Sequence, residues 1–340
     1  MDPHTLLWIL FWSIFVIVSV IDYSVVTHRK TAIDVKTALR WTALWIAVAL
    51  SFSAAIYFLH PKGQTIFLEY ISGYLTEYSL SVDNLFVFIL IFSLMGVKEA
   101  AQPKLIKLGI YLSIVLRIVF IIFGIALVER FHWLLWVFGA ILVWTAWKMV
   151  ATEEDEHVKP ENNLLYKLAS RLFPLHNDPQ ENKRLFARYD GKLFITPFFL
   201  VFVVIGSTDV LFAVDSIPAI MGISQDPFVV LTSNIFAVLG LNSLFFAIRG
   251  IMGLFKFLKH GVSLILLFIG AKMIIPGIGK GLSLLGATAI GGKLEGTEHW
   301  FKVHTSVSLL VILFVLASSV VLSVWHDRAS KVPAAPPSGP

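Results

Sequence analysis

The chain has 340 residues, 57% of them apolar and only 14% charged, with a formal net charge of +5, and its mean hydropathy is +0.81. Soluble domains carry roughly 25% charged residues, so this composition excludes a soluble globular protein and makes lipid the solvent for most of the chain. The charge is too small and too dispersed for a nucleic-acid stripe, and with no cysteine the chain has no disulfide framework, thiolate metal site or cysteine nucleophile.

A membrane-spanning helix needs about 20 apolar residues. Nine segments meet that length, at roughly 6–26, 40–59, 66–95, 104–128, 131–151, 194–221, 228–254, 260–276 and 304–326. The first is too long for a signal-peptide core and lacks a basic start, so it reads as a retained span. The third and sixth are long enough to tilt or to contain a break. Residues 1–331 thus form a single polytopic membrane domain of all-α class, and the Pro-rich 332–340 is expected to be a disordered tail.

Cytoplasmic loops are enriched in Lys and Arg. Connections one, three, five and seven with the C-terminal tail hold 20 of the 27 Lys and Arg residues, and connections two, four, six and eight hold 6. Arg40, Lys104, Lys107, Lys148, Arg249 and Lys272, toward span ends, are counted with the adjacent connections, which leaves Arg117 inside a span. This bias predicts an outside N-terminus and a cytoplasmic C-terminus. The Gly-rich stretch from Gly277 to Val303 runs against the trend and is expected to re-enter the membrane in part.

The connection from Thr152 to Lys192 is the one sizeable soluble piece. It opens with the acidic run Glu153 to His157, which reads as solvated loop. Leu164, Leu165, Leu168 and Leu172 follow at helical spacing with Lys167 and Arg171 between them, the pattern of a short amphipathic helix at the membrane interface. His299 and His304 beside Glu295 and Glu298 read likewise as solvated loop.

Ionisable groups inside spans are expensive and mark function by default. They are Asp22, Glu77, Asp83, Arg117, Asp209 and Asp215, with Glu69 at the outer end of the third span. Five carboxylates face one arginine. Their charge must be met by protons, by water in a cavity or by a bound cation, and a cation site is the simplest single answer.

The third span reads Glu77-Tyr-Ser-Leu-Ser-Val-Asp83-Asn84, and the sixth reads Asp209-Val-Leu-Phe-Ala-Val-Asp215-Ser216. Both place an acid, five residues, then an acid and a small polar residue. The match reads as an internal repeat in 66–128 and 194–254. Two spans lie between the two copies, which makes them antiparallel, the inverted topology that places transporter sites near the midplane on broken helices. Gly109 to Arg117 and Asn234 to Asn242 share a spacing of eight and extend the match.

Positions six apart lie about 120° apart on an α-helix. Each acid pair therefore either straddles two faces or sits on a locally unwound helix. Pro218 favours unwinding, because without its N–H the Val214 carbonyl loses its helical partner. That carbonyl with Asp215 and Ser216 would form an oxygen-only ligand set, suited to hard divalent ions such as Mn²⁺, Mg²⁺ or Ca²⁺. Arg117 is expected to be a counter-ion, with Asp83 as the candidate partner. No nucleophile-and-base arrangement or His-Glu-x-x-His motif is present, and no enzymatic activity is expected.

Ser79-Leu-Ser-Val-Asp-Asn-Leu-Phe-Val-Phe88, Glu129-Arg-Phe-His-Trp133, Thr208-Asp-Val-Leu-Phe-Ala-Val-Asp-Ser-Ile-Pro-Ala-Ile220 and Asp226-Pro-Phe-Val-Val-Leu-Thr-Ser-Asn-Ile-Phe-Ala-Val-Leu-Gly-Leu241 closely resemble the TerC family of integral membrane proteins. The resemblance runs from about Leu6 to Ser323. It implies kinship with LysE-type exporters, tellurite resistance, Mn²⁺ efflux, or a role in supplying metal to exported proteins or assembling membrane proteins. It implies a bacterial inner-membrane location, a transported divalent cation with no prosthetic group, possible proton exchange and a possible homo-oligomer. By motif position the residues implicated are Glu77, Asp83, Asn84, Asp209, Asp215 and Ser216, with Asp22 in the first span. Many relatives carry Glu where this chain has Gly206, a departure that bears on ion identity and coupling.

Overall fold

The computed structural model describes residues 2–27, 34–99, 101–151, 164–172, 184–189, 192–250, 257–284, 287–303 and 305–330. The side chains of Asp22, Asp83, Glu295, Glu298 and His299 lie outside the described residues, as do the acidic run 153–157, His304 and the tail 332–340.

The apolar runs become helices because no other open structure satisfies its backbone inside lipid. In chain order these are α1 (Pro3–Thr27), α2 (Val35–Leu59), α3 (Gly63–Leu94), α4 (Gln102–Arg130), α5 (Leu134–Ala151), α6 (Leu164–Leu172), α7 (Pro197–Met221), α8 (Pro227–Leu239), α9 (Leu241–Gly250), α10 (Leu258–Leu284), α11 (Thr288–Val303) and α12 (Thr305–Ser330). Among the described residues, α1, α2, α3, α4, α5, α7, α10 and α12 are each long and apolar enough to cross a membrane, and α8 with α9 forms a ninth crossing bent by 45°. The protein is an all-α integral membrane protein with eight or nine candidate spans, against the nine expected.

Local chemistry sets several boundaries. Thr196 caps α7 by accepting from the Phe199 N–H at 3.2 Å, and Asp226 caps α8 by accepting from the Phe228 N–H at 2.8 Å. Each is followed by a proline at the first helical position, where its missing N–H costs nothing.

The helix α8 is buried on every side, from Phe228 to Leu239. A helix apolar all round belongs in the interior, and α8 packs against α1, α2, α3 and α4. Its ring Phe236 lies 4.9 Å from Phe52 of α2 and 5.6 Å from Phe11 of α1, centroid to centroid. Around it, α3 packs most heavily on α8 and α4 on α7, with α3 also touching α7 and α4 touching α8. On the flank, α5 and α10 cross at Gly139 and Gly270. A Cβ on either would come within 2.9 Å of the other's carbonyl oxygen, so the close approach requires glycine at both. Leu310, Phe314, Val321 and Trp325 of α12 are exposed, as lipid-facing side chains should be.

Four features differ from the sequence reading. The sixth span starts at Pro197, because Lys192–Ile195 pairs with Phe186–Tyr189 as an antiparallel hairpin, β2 on β1. Asp190-Gly191 between those strands is the signal that would have found it. The eighth span does not end at 276: α10 continues to Leu284, and α11 packs back against α10. Pro218 does not break α7, which continues to Met221. The proline sits in the last turn, where few helical bonds remain to lose. The broken span is instead the seventh, at Gly240. The amphipathic helix is present as α6, packed against α7.

Candidate functional site

Where α3, α4, α7 and α8 meet, their polar side chains converge on Arg117. Its guanidinium and the Glu77 carboxylate form an ion pair, and both side chains are 1% exposed. Asn234 of α8, fully buried, joins the two: its amide nitrogen donates to Glu77 Oε2 at 3.1 Å, and its oxygen accepts from Arg117 Nη1 at 3.1 Å. The Ser81 hydroxyl donates to Glu77 Oε1 at 3.3 Å. Arg117 Nε donates to Ser113 Oγ at 3.1 Å, and Nη1 reaches Ser216 Oγ at 3.5 Å.

Asp209 completes the group. It is 4% exposed, interacts with Ser113 and with the Arg117 charge, and leaves its Oδ2 without a hydrogen-bond partner among the described residues. Two carboxylates therefore share one guanidinium. A buried carboxylate oxygen without a donor is costly, and a proton or a cation would satisfy it.

The structure sorts the predicted residues by helix face. Asp209 and Ser216 are seven apart on α7 and share the face toward Arg117. Asp215 points the other way, accepting from Thr145 Oγ1 of α5 at 2.8 Å, with Lys148 nearby. The pair thus straddles two faces of a continuous helix. Val214 is half exposed on the outside of the bundle, so its expected cavity-lining role beside an unwound turn has no counterpart. Among the described residues the carboxylate paired with Arg117 is Glu77, and the side chain of Asp83, the expected partner, lies outside them. On α3, Asn84 is buried, and the backbone of Asp83 lies in the same helix. Asp22 lies on α1, near its C-terminal end. Among the described residues no three His, Asp or Glu side chains converge as a metal cluster.

Three participants escaped the sequence reading. Asn234 and Ser113 are uncharged and gave no signal beyond Asn234's part in the weak spacing match. Lys107, assigned to a loop, is inside α4 and 8% exposed, at a small cleft with Ser19, Tyr111, Ile114 and Leu239. At position 206 a Cβ would lie 2.6 Å from Leu112 Cδ2, so glycine lets α7 approach α4 closely.

A second polar group sits where α2 ends and α3 and α8 begin. Ser224 donates to Glu69 at 2.6 Å, and the His4 and His60 rings lie 6.2 Å apart. Burial lowers the His60 pKa below the usual imidazole value, against a smaller opposing pull from Asp226. At the opposite end, Arg249 of α9 pairs with Glu99 and donates to Gln102 at 2.8 Å, tying the end of the seventh span to the α3–α4 connection and the start of α4.

The comparisons agree with the motifs. No solved structure matches the chain. A Salmonella typhi protein provisionally named membrane-bound redox modulator Alx is 36% identical over 336 residues, 96% of this chain and 97% of its own length. An uncharacterised membrane protein of Myxococcus xanthus is 36% identical over 323 residues, 95% of this chain and 93% of its own. A chloroplast thylakoid membrane protein, TERC, of Arabidopsis thaliana is 36% identical over 294 residues, 86% of this chain and 70% of its own. Residues 62–331 match the model of the Integral membrane protein TerC family. With the packed apolar helices and the buried acids in those residues, the chain belongs to the TerC family.

Proposed function

We propose that the protein exports a hard divalent cation, Mn²⁺ first among the candidates, through carboxylates buried at the centre of the bundle. The observation that carries this reading is Asp209. It is buried beside an arginine already engaged by Glu77 and Asn234, and one oxygen is left without a partner among the described residues. Its chemistry calls for a cation or a proton, and Ser113, which it meets, offers oxygen, as do Ser216 and Glu77 elsewhere around Arg117. Asp83 and Asp215 belong to the same motifs and are assigned to the cation's route.

The reading includes an inverted repeat, N-terminus outside and C-terminus cytoplasmic, in a bacterial inner membrane. Supporting the repeat is the reciprocal packing: exchanging α3 with α7 and α4 with α8 turns the α3–α8 contact into the α7–α4 contact. Proton exchange follows from the carboxylate chemistry.

A second reading is a membrane factor that helps to metalate or assemble other proteins. The folded connection favours it: α6 packs on α7, and the hairpin's Phe186 stacks on Phe199 at 4.9 Å. The name of the Salmonella relative invokes redox modulation. This chain has no cysteine, so such a role here would not use its own thiols.

The deciding experiment is uptake into proteoliposomes of the purified chain across Mn²⁺, Mg²⁺, Ca²⁺ and Zn²⁺. Mn²⁺ flux that Asp209→Asn removes supports the transporter. No flux of any ion, with partner proteins lost on deleting residues 152–192, supports the assembly factor.

A further inference from the structure

Glu77 and Asp209 occupy the same position in the two matched motifs, yet the structure treats them differently. Arg117 is paired with Glu77 and held there by Asn234, while Asp209 Oδ2 has no donor among the described residues. Both acids lie within the influence of the one guanidinium, and Ser113 accepts from Arg117 Nε while facing Asp209.

We infer that Arg117 is a tethered cation that alternates between the two motif-equivalent acids, paired with Glu77 in one state and with Asp209 in the other. Whichever acid the guanidinium leaves is the one open to the transported cation or to a proton. This rests on the transporter reading for its cargo, but the exchange is a property of the chain itself.

The geometry supplies what such an exchange needs. The two acids are on α3 and α7, and Arg117 is on α4, which packs on α7 while α3 packs on α8. Moving the ion pair from Glu77 to Asp209 therefore shifts the tie from the α3–α4 pair to the α4–α7 pair. Nothing covalent changes, and the total charge of the network is the same in both arrangements. The exchange also keeps the guanidinium buried and paired throughout, which a large excursion would not. Nη1 makes the Glu77 pair and also engages Ser216 and Asn234, while Nε engages Ser113, which faces Asp209 too, so turning the guanidinium about its side-chain torsions can offer it to Asp209 with Ser113 still within reach. Gly240 provides the adjacent bend, six residues after Asn234, through which the α8 contact can follow.

The test uses the absence of cysteine. Single cysteines are placed at Ser224, beside the start of α8, and at Ser243 in α9, both buried and on opposite sides of the Gly240 bend. Their labelling by a small maleimide is timed in membranes carrying the full chain. Asp209→Asn holds Arg117 on Glu77, and Glu77→Gln releases it to Asp209. The two substitutions should move the Ser224 to Ser243 labelling ratio in opposite directions, each by about tenfold, a shift of ordinary coupling size. If Glu77→Gln fails to accumulate, Glu77→Asp keeps the charge but shortens its reach, and should move the ratio in the direction opposite to Asp209→Asn. Arg117→Lys, a shorter point charge, should blunt both shifts. Shifts in one common direction, or none, overturn the exchange and leave Glu77–Arg117 a static tie. Labelling needs no metal. Opposite shifts without Mn²⁺ flux would defeat the transporter reading alone, and Mn²⁺ flux without opposite shifts would defeat the exchange alone.

Discussion

The Thr145 hydroxyl donates to Asp215 at 2.8 Å, which turns the second acid of the α7 motif toward α5 and away from Arg117. Removing the donor with Thr145→Val should leave a partly buried carboxylate unsatisfied and lower stability by about 1–3 kcal/mol. Asp215→Asn keeps an oxygen that can accept from Thr145, so its melting temperature in detergent should stay near that of the parent. Comparable losses for the two variants would show that Thr145 is not the group that holds Asp215.

Arg117 and Glu77 should behave as one unit. Arg117→Gln strands the buried Glu77 carboxylate and should cost about 3–5 kcal/mol, and Glu77→Gln should cost less, because the guanidinium can turn to Asp209. The double variant removes both charges and should recover more than half of that loss. A thermal-melt double-mutant cycle measures the difference, and additive losses would contradict the pairing.

Asn234 bridges both members of that pair from α8. Asn234→Ala should destabilise by about 1–3 kcal/mol, because it leaves an acceptor of Glu77 and a donor of Arg117 unmet. Asn234→Asp removes the donor to Glu77 and adds a third carboxylate, so it should also alter ion flux. Thermal melts in detergent paired with proteoliposome uptake separate the two effects.

Asp83→Asn and Asp215→Asn should each reduce Mn²⁺ flux at least tenfold while the protein still inserts, since neutralising an intramembrane acid lessens its burial cost. An intramembrane acid is open to a proton when no metal is bound, and a divalent ion displaces it. Metal entry should therefore acidify the compartment into which protons are released, and the variants should lose that signal. Flux at the parent level in both variants would remove these acids from the route.

The charge bias predicts that residue 177 faces the cytoplasm. A cysteine at Asn177, in a segment outside the described residues, should react with an impermeant thiol reagent only after cells are opened. Labelling of intact cells would reverse the orientation and, with it, the direction of export.

By itself the sequence determined the fold class, the spans and the acids. Apolar runs the length of a bilayer have one way to satisfy their backbones, and an acid inside such a run is visible without coordinates. The 120° divergence of Asp209 and Asp215 was one of two arrangements that helix geometry left open, and Pro218 pointed to the other, an unwound turn. Partner choice was not legible. Arg117 is 40 residues from Glu77 and 117 from Asn234, and which of several intramembrane acids it meets depends on how four helices pack, which no local pattern encodes. The same holds for Lys107, whose burial comes from neighbours rather than from its own segment, and for the bend. Pro218 looked like the breaker because it lacks an N–H, but near a helix end that loss is small. Gly240, a weaker signal in sequence, marks the bend where α8 gives way to α9, its α-carbon packed close to Trp45 of α2. Tertiary contacts decide which local weakness becomes a break, because they determine whether the freed backbone finds other partners.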